Sequence, residues 1–217
     1  MDISSLIDRL PSSLKSYLDV FSANNTKKLA PHRDIDLAIE LQLGKELPYR
    51  PIYPLSPREL ATLKEFLEEN IEKGFIRESK SLVGTLILFA PKKDSSLQLC
   101  VDYRGLNAIT IKNQYPLPLI TKIMDWVIGA SYFSKIDLKD AYYQICIKAR
   151  DEWKTAFRTY YRHYKFLVVP IGLTNAPATF QAYINNALCG LVDNFCIVYL
   201  DNILVFSKTK EEHNQHL

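Results

Sequence analysis

Nothing in this chain is patterned like a disulfide framework or a zinc site. Its four cysteines, Cys100, Cys146, Cys189 and Cys196, form no CxxC pair and have no histidine at ligand spacing. They read as small apolar core residues of a reducing compartment. No apolar run reaches the length that crosses a bilayer, and the opening MDISSLIDRL lacks a signal-peptide pattern. The expectation is a soluble intracellular protein, in cytoplasm or nucleus, with no membrane partner. Neither sign of charge dominates: 27 basic against 24 acidic side chains leave +3, too little by itself to imply a polyanionic partner. Internal repeats and low-complexity tracts are missing as well. What is present is ordinary globular composition, 47% hydrophobic and 24% charged over 217 residues. That suffices for one large domain or two small ones with a real core.

Residues 1–30 are amphipathic but interrupted by Pro11 and by the polar stretch SANNTKK, and read as short helices plus a peripheral linker. Pro31, Pro48, Pro51, Pro54 and Pro57 punctuate a segment expected to run extended over a surface. Ser56, Pro57 and Glu59 form a capping box with proline at the first helical position. Leu60, Leu63, Phe66, Leu67 and Ile71 then mark one helical face, and Gly74 supplies the stop. LILFAP and LQLCVDY, joined by KKDSS, predict a β-hairpin with Lys92 and Lys93 near its tip. Ile120, Ile123, Met124 and Val127 define a second helix closed by Gly129. YFSKI predicts a strand that delivers Asp137, and TAFRT and YKFLVV predict two more. PIGLTNAPATFQAYINNALCG opens as a loop and becomes a helix with Phe180, Ile184, Ala187 and Leu188 inward and Gly190 at its end. Strands interspersed with helices, with hairpins prominent, point to an α+β fold: a largely antiparallel sheet covered by helices.

Near the C-terminus IVYL (Ile197 to Leu200) and ILVF (Ile203 to Phe206) enclose only Asp201 and Asn202. Branched and aromatic residues around a two-residue polar gap predict a tight hairpin. Two readings of the gap stay open. Asp201 and Asn202 are turn residues that tolerate positive φ, or Asp201 is a metal ligand raised on a rigid support. Asp137, at the end of another core strand, would be its companion for phosphoryl transfer.

Six segments in order carry a resemblance: LCVDYRGLN, IKNQYPLPLI, SKIDLKDAYYQI, DEWKTAFRT, PIGLTNAPATFQ and VYLDNILVFSK. They closely resemble successive blocks of the reverse transcriptase of gypsy-type LTR retrotransposons, from about Pro31 to the last residue. The resemblance implies a fingers-and-palm polymerase fold over residues 31–217, with the thumb missing after the palm hairpin. It also implies template-directed DNA synthesis on a primed RNA or DNA template, from deoxynucleotide triphosphates, with two Mg²⁺ ions for which Mn²⁺ can substitute. Carried over residue by residue, Asp137 matches the first palm carboxylate and Asp201 the second, the implied metal ligands. Tyr142 matches the aromatic residue under the incoming sugar that excludes a 2′-hydroxyl. Asp140 and Ala141 lie where backbone amides face the triphosphate, and Lys92 or Lys93 matches the lysine on the γ-phosphate. Arg104 sits in the strand that lies against the template. Gly172, Asn175 and Pro177 belong to the loop and helix flanking the nucleotide pocket, the last two on the template side.

Each of these residues also has a plain reading. Tyr142 and Tyr143 are ordinary core aromatics, Lys92 and Lys93 a solvated tip, and Arg104 a surface ion-pair partner. His32, His163, His213 and His216 match no catalytic role, and EEHNQH reads as a solvated helix start. Three departures from the family pattern bear on activity. Asn202 stands where the family has a second adjacent aspartate. Gln98 replaces an arginine that grips the triphosphate, and Ser95 a glycine in the preceding turn. The resemblance carries the expectation of a chain truncated before the rest of the palm, the thumb, the connection and the RNase H domain, and no DSG or DTG triplet or HHCC pattern is present in these residues. The readings left open are an impaired polymerase fragment, a non-catalytic nucleic-acid-binding remnant, and a protein-interaction module that self-associates through exposed palm surface.

Overall fold

The computed structural model describes residues 12–22, 27–47, 52–93 and 95–217. The expectations for residues 1–11, for Pro48 and Pro51, and for Asp94 in the hairpin turn lie outside the described residues. In chain order the elements are α1 (Pro57–Glu72), β1 (Ile76–Glu78), β2 (Ile87–Pro91), β3 (Leu97–Val101), α2 (Arg104–Ile109), α3 (Ile120–Trp126), β4 (Tyr132–Asp137), β5 (Phe157–Arg158), β6 (His163–Phe166), α4 (Ala176–Ala187), β7 (Cys196–Tyr199), β8 (Asn202–Ser207) and α5 (Lys210–His216). Every strand pair among them is antiparallel. The chain divides into two compact units, one of Met1–Lys28, Tyr115–Ala141 and Phe180–Leu217, the other of Leu29–Gln114 and Tyr142–Thr179.

The Leu29–Gln114/Tyr142–Thr179 unit holds the sheet β1-β6-β5 and the hairpin β2-β3. Helix α1 starts at a complete capping box: Ser56 Oγ accepts from the Glu59 amide and the Glu59 carboxylate accepts from the Ser56 amide. The Ser56 hydroxyl, and after it the Ser56 amide, donate to the Glu59 carboxylate and hold it below its ordinary range. The helix stops at Gly74, whose φ of +72° few other residues adopt. It buries Leu63, Leu67 and Asn70. Ile71 was expected on the same face but is 47% exposed, in the last turn of the helix. Phe75, Phe157 and Phe166 are fully buried, and Tyr143 packs 5.4 Å from Phe75 and 6.4 Å from Phe166. The plain core reading therefore holds for Tyr143.

The other unit is built on the sheet β4-β8-β7. β8 alternates half-buried and buried residues, the period-2 signature of a sheet with one covered face. Phe180 and Ile184 of α4 are buried as expected, whereas Ala187 is exposed and Leu188 half-buried. Met124 of α3 is also exposed. The EEHNQH segment differs most from expectation. α5 carries its own capping box, Thr209 with Glu212. His213 is buried, its Nε2 2.8 Å from Ser134 Oγ and its Nδ1 3.0 Å from Ser207 Oγ. His216 stacks on Phe195 at 4.0 Å. These histidines fasten α5 to the sheet, a long-range role that polar local sequence conceals.

Candidate active site

The β7–β8 connection has the two residues that the apolar runs suggest, but lies one position earlier. Tyr199 pairs with Asn202, so the two turn residues are Leu200 and Asp201, and Asn202 already belongs to β8. Positive φ falls on Leu200, at +53°, and not on Asp201 or Asn202. A bulky residue in that region costs about 1–2 kcal/mol. Had the acidic residue served turn formation, it would occupy the left-handed position that Asp and Asn tolerate. It does not, so local turn chemistry leaves Asp201 unexplained.

β4 brings the companion carboxylate alongside. Asp137 is its last residue and stands directly opposite Asn202 in the β4–β8 register. Directly opposed residues on adjacent strands share a face of the sheet. Asn202 Nδ2 donates to Asp201 Oδ1 at 3.0 Å, so the Asp201 carboxylate is held by the residue that stands opposite Asp137. The Asp201 carbonyl accepts from the Leu138 amide at 2.9 Å, tying the turn to the residue after Asp137. The Asp137 carboxylate is 67% exposed, with Lys135 Nζ 3.7 Å away. Asn202 Oδ1 is buried and has no hydrogen-bond partner among the described residues. Flipping the amide would set that oxygen against the Asp201 carboxylate, so the unpaired acceptor is fixed where it is. Asp140, at φ +52°, and buried Ala141 follow in the loop after β4.

The remaining sequence-derived residues belong to the other unit. Lys92 and Lys93 are exposed at the β2–β3 tip, where the Lys92 amide donates to the Ser96 carbonyl at 2.8 Å. Gln98 pairs with Ala90 in that hairpin. Ser95, in the place of a turn glycine, takes φ +64°. Arg104 is not in a strand: it opens helix α2, and a two-residue step places its guanidinium against the nearly buried Asp102. The fork is bidentate, Nε to Oδ1 and Nη2 to Oδ2, both 2.8 Å, and raises the guanidinium pKa further. Tyr142 is half-buried in the turn Ala141–Gln144. Gly172 has φ +103°, and its carbonyl accepts from Asn107 Nδ2 at 2.7 Å. Asn175 is buried with both ends of its amide on the chain's own backbone, Oδ1 to the Asn113 amide (3.0 Å) and Nδ2 to the Ile111 carbonyl (2.9 Å). Pro177, half-buried, is the second residue of α4.

Two groupings were not legible in the sequence. Gln181, wholly buried in α4, bonds the backbone of the Asp201 hairpin. Its one signal is an amide among apolar neighbours. Separately, His32, Asp36 and Cys146 bring ligand atoms within 4.8 Å of one another. More than a hundred residues separate the first two from the third, so no spacing rule could pair them. The donors are already engaged: His32 Nδ1 with Asp36 Oδ2 at 2.5 Å, Cys146 Sγ with the Ala30 carbonyl at 3.2 Å. Burial pushes the Cys146 thiol up to about 11.

With a carboxylate-bearing palm-like sheet defined, the comparisons with known proteins decide the family. The sequence profile for reverse transcriptase (RNA-dependent DNA polymerase) matches residues 90–217, more than half of the chain. The chain belongs to the reverse transcriptase family. It is similar to retrotransposon proteins: 38% identical over 210 residues to the Tf2-7 polyprotein of Schizosaccharomyces pombe, and 37% to the Tf2-3 polyprotein of the same organism. Each match takes in 96% of this chain and 16% of the relative, so the chain spans about a sixth of those curated relatives. Among solved structures it is similar to the foamy viral protease-reverse transcriptase in complex with an RNA/DNA hybrid (TM-score 0.75, 20% identity, 98% of this chain and 30% of that one). The same protein in complex with double-stranded DNA gives a TM-score of 0.77 at 21% identity, over 99% of this chain and 39% of the other. At such identities the likeness establishes the fold: helices and antiparallel sheet of a partial reverse transcriptase domain.

Proposed function

We propose that this chain is the fingers-and-palm part, residues 31–217, of an RNA-directed DNA polymerase, with residues 1–30 peripheral, and that its chemistry is impaired by Asn202. The observation that carries the reading is the register of the palm hairpin: Asp137 opposite Asn202, with Asp201 hydrogen-bonded to Asn202. These residues fit a divalent cation. An exposed carboxylate and a half-buried one share the site with a buried carbonyl oxygen that has no partner among the described residues, and hard cations take oxygen ligands of this kind. Asp137 and Asp201 would hold Mg²⁺, as two ions, or Mn²⁺, with Asn202 Oδ1 as a neutral ligand. Bound there, the ions supply alignment of a primer 3′-oxygen on the α-phosphate and neutralisation of developing charge.

The resemblance assigns nucleotide contacts to Asp140, Ala141, Tyr142, Lys92, Lys93 and Gly172, and template contacts to Arg104, Asn175 and Pro177. We adopt those roles on that footing. Local structure supports them unequally. Lys92 and Lys93 are exposed cations on a hairpin tip, suited to the γ-phosphate. Arg104 has two guanidinium nitrogens committed to Asp102, and Asn175 is committed to its own chain, so both act on a template through the backbone they hold. Gln98 supplies no charge to a triphosphate where an arginine would. RNA or DNA template with primer and deoxynucleotide triphosphates are the proposed partners, as the foamy viral enzyme's complexes suggest.

An amide at position 202 removes one negative charge from the ion site. A unit-charge pair at about 4 Å is worth roughly 4 kcal/mol at an effective dielectric near 20. The exposure of Asp137 discounts this, and about 2.7 kcal/mol remains enough for a hundredfold in rate. The test is primer extension with Mg²⁺ or Mn²⁺ by the unmodified chain, Asn202→Asp, Asn202→Asp with Gln98→Arg, and Asp137→Asn. Extension is expected to rise at least about a hundredfold from the unmodified chain to Asn202→Asp, and to vanish in Asp137→Asn. Equal extension by the unmodified chain and the double variant would overturn the impairment. A second reading, self-association through palm surface, is favoured by the edge strand β4, where Tyr132, Phe133 and Ile136 are exposed. Sedimentation of the unmodified chain tests it.

A further inference from the structure

We infer that Gln181 is a positioning residue for the Asp201 turn. Its side chain is wholly buried in α4, where an amide is costly unless its polar atoms are paired. Gln181 Oε1 accepts from the Leu200 amide at 3.0 Å. Gln181 Nε2 donates to the Val198 carbonyl at 3.2 Å and to Asn185 Oδ1 at 2.9 Å. Asn185 is itself fixed, its Nδ2 donating to the Tyr115 hydroxyl at 3.1 Å.

The two backbone contacts have a specific geometry. β7 is an edge strand of β4-β8-β7, so among the described residues one of its sides has no strand beside it. The carbonyl of residue 198 and the amide of residue 200 point to the same side of an extended chain. By accepting from the Leu200 amide and donating to the Val198 carbonyl, the Gln181 amide stands in for the C=O and N–H that one residue of a neighbouring strand would present. It does so at two of the last three residues before Asp201. One of those, Leu200, holds the unfavourable left-handed φ, and such backbone persists only where surrounding contacts over-determine it. Val198, Leu200 and the Leu138–Asp201 bond then leave the Asp201 backbone little freedom, and the carboxylate inherits that order.

The consequence for cation binding rests on the function proposed above; the pinning of the turn does not. The test uses the full chain with Gln181→Met, which removes both contacts at similar volume, and Gln181→Glu, which keeps the acceptor for Leu200. Amide hydrogen exchange by NMR reads the turn, and Mn²⁺ titration followed by water-proton relaxation reads the carboxylates, with Asp137→Asn as the control for the site. Gln181→Met is expected to speed exchange at Leu200 at least tenfold, leave Leu204 and Val205 in mid-β8 unchanged, and weaken Mn²⁺ at least fivefold. Gln181→Glu should restore slow exchange at Leu200. If Gln181→Met unfolds the chain, Gln181→Glu still decides, because fast Leu200 exchange with the acceptor retained overturns the pinning. Unchanged Leu200 exchange in Gln181→Met overturns it as well. Fast exchange with unaltered Mn²⁺ affinity overturns the positioning of Asp201. Fast exchange in a chain whose unmodified form binds no Mn²⁺ upholds the pinning and refutes the cation site instead.

Discussion

Asp137 and Asn202 face each other across the β4–β8 ladder, and Asn202 completes the arrangement by giving a proton bond to Asp201. The amide therefore does two opposite things. In the cation site proposed above it would lower the negative charge offered to the ion, and without an ion it would relieve repulsion between Asp137 and Asp201. Asn202→Asp converts a donor into a third acceptor and sets like charges opposite one another, which destabilises a sheet. Its expected cost without divalent ions is about 1–2 kcal/mol, allowing for the solvent around Asp137. Urea unfolding in EDTA should show that loss, and millimolar Mn²⁺ should restore Asn202→Asp more than the parent, because ligand binding to the folded state adds stability. A variant equally stable to the parent in EDTA would show that the carboxylates do not meet.

Gly84 and Arg158 make a second close relationship. A Cβ built on Gly84 would lie 2.2 Å from Arg158 Cδ and 2.7 Å from its Cγ. The neighbouring backbone cannot shift freely, since the Thr85 amide donates to the Ala156 carbonyl at 3.0 Å and the Arg158 amide to the Thr85 carbonyl at 2.9 Å. Gly84→Ala should cost about 1–3 kcal/mol by overpacking. Adding Arg158→Ala should recover most of it, because the clash is with a side-chain stem. Chemical denaturation of the two variants and their combination measures the coupling.

Much of the scaffold could be read from the chain. The capping box at Ser56, the stop at Gly74, the β2–β3 hairpin and the strand ending at Asp137 all depend on contacts within a few residues, and local sequence encodes those. The site was legible only as far as such signals reach. Asp137 and Asp201 end recognisable apolar runs, whereas their register is set by pairing across some seventy residues. Leu200 in the turn broke the rule that positive φ goes to Asp or Asn. That break came from a tertiary contact, the Gln181 amide, which no window of neighbouring residues contains. Arg104 was misplaced for a related reason: the turn at Asp102 and Tyr103 ends β3 early and starts α2, and only the Asp102 fork explains why.

Cysteine chemistry should separate the four thiols. Cys189 is exposed, Cys100 half-buried, and Cys146 and Cys196 buried. Burial raises both buried thiols, Cys146 to about 11, and alkylation runs through the thiolate. At pH 8 a thiol at about 11 is roughly one part in a thousand ionised. Brief iodoacetamide treatment followed by peptide mass spectrometry should modify Cys189 first and leave Cys146 intact until the chain is unfolded. Early labelling of Cys146 would mean that the His32–Asp36–Cys146 cluster opens readily.

Acid should act on the other unit through His163. Its Nε2 is buried without a hydrogen-bond partner among the described residues, and desolvation, aided by the nearby Arg158 charge and opposed by a bond with the Val83 backbone, lowers its pKa below 6.5. The folded chain therefore binds this proton less readily than the unfolded chain. Stability from the neutral ring is fully present above pH 6.5 and falls as the pH drops from there through the lowered value. His163→Leu removes the titration while leaving the carboxylates common to both proteins. Urea midpoints at pH 7.5, 6.5, 5.5 and 4.5 should show the parent losing stability relative to His163→Leu from pH 6.5 downward and staying parallel to it above. A gap that stays constant through the acid range would place this ring in water rather than against Val83.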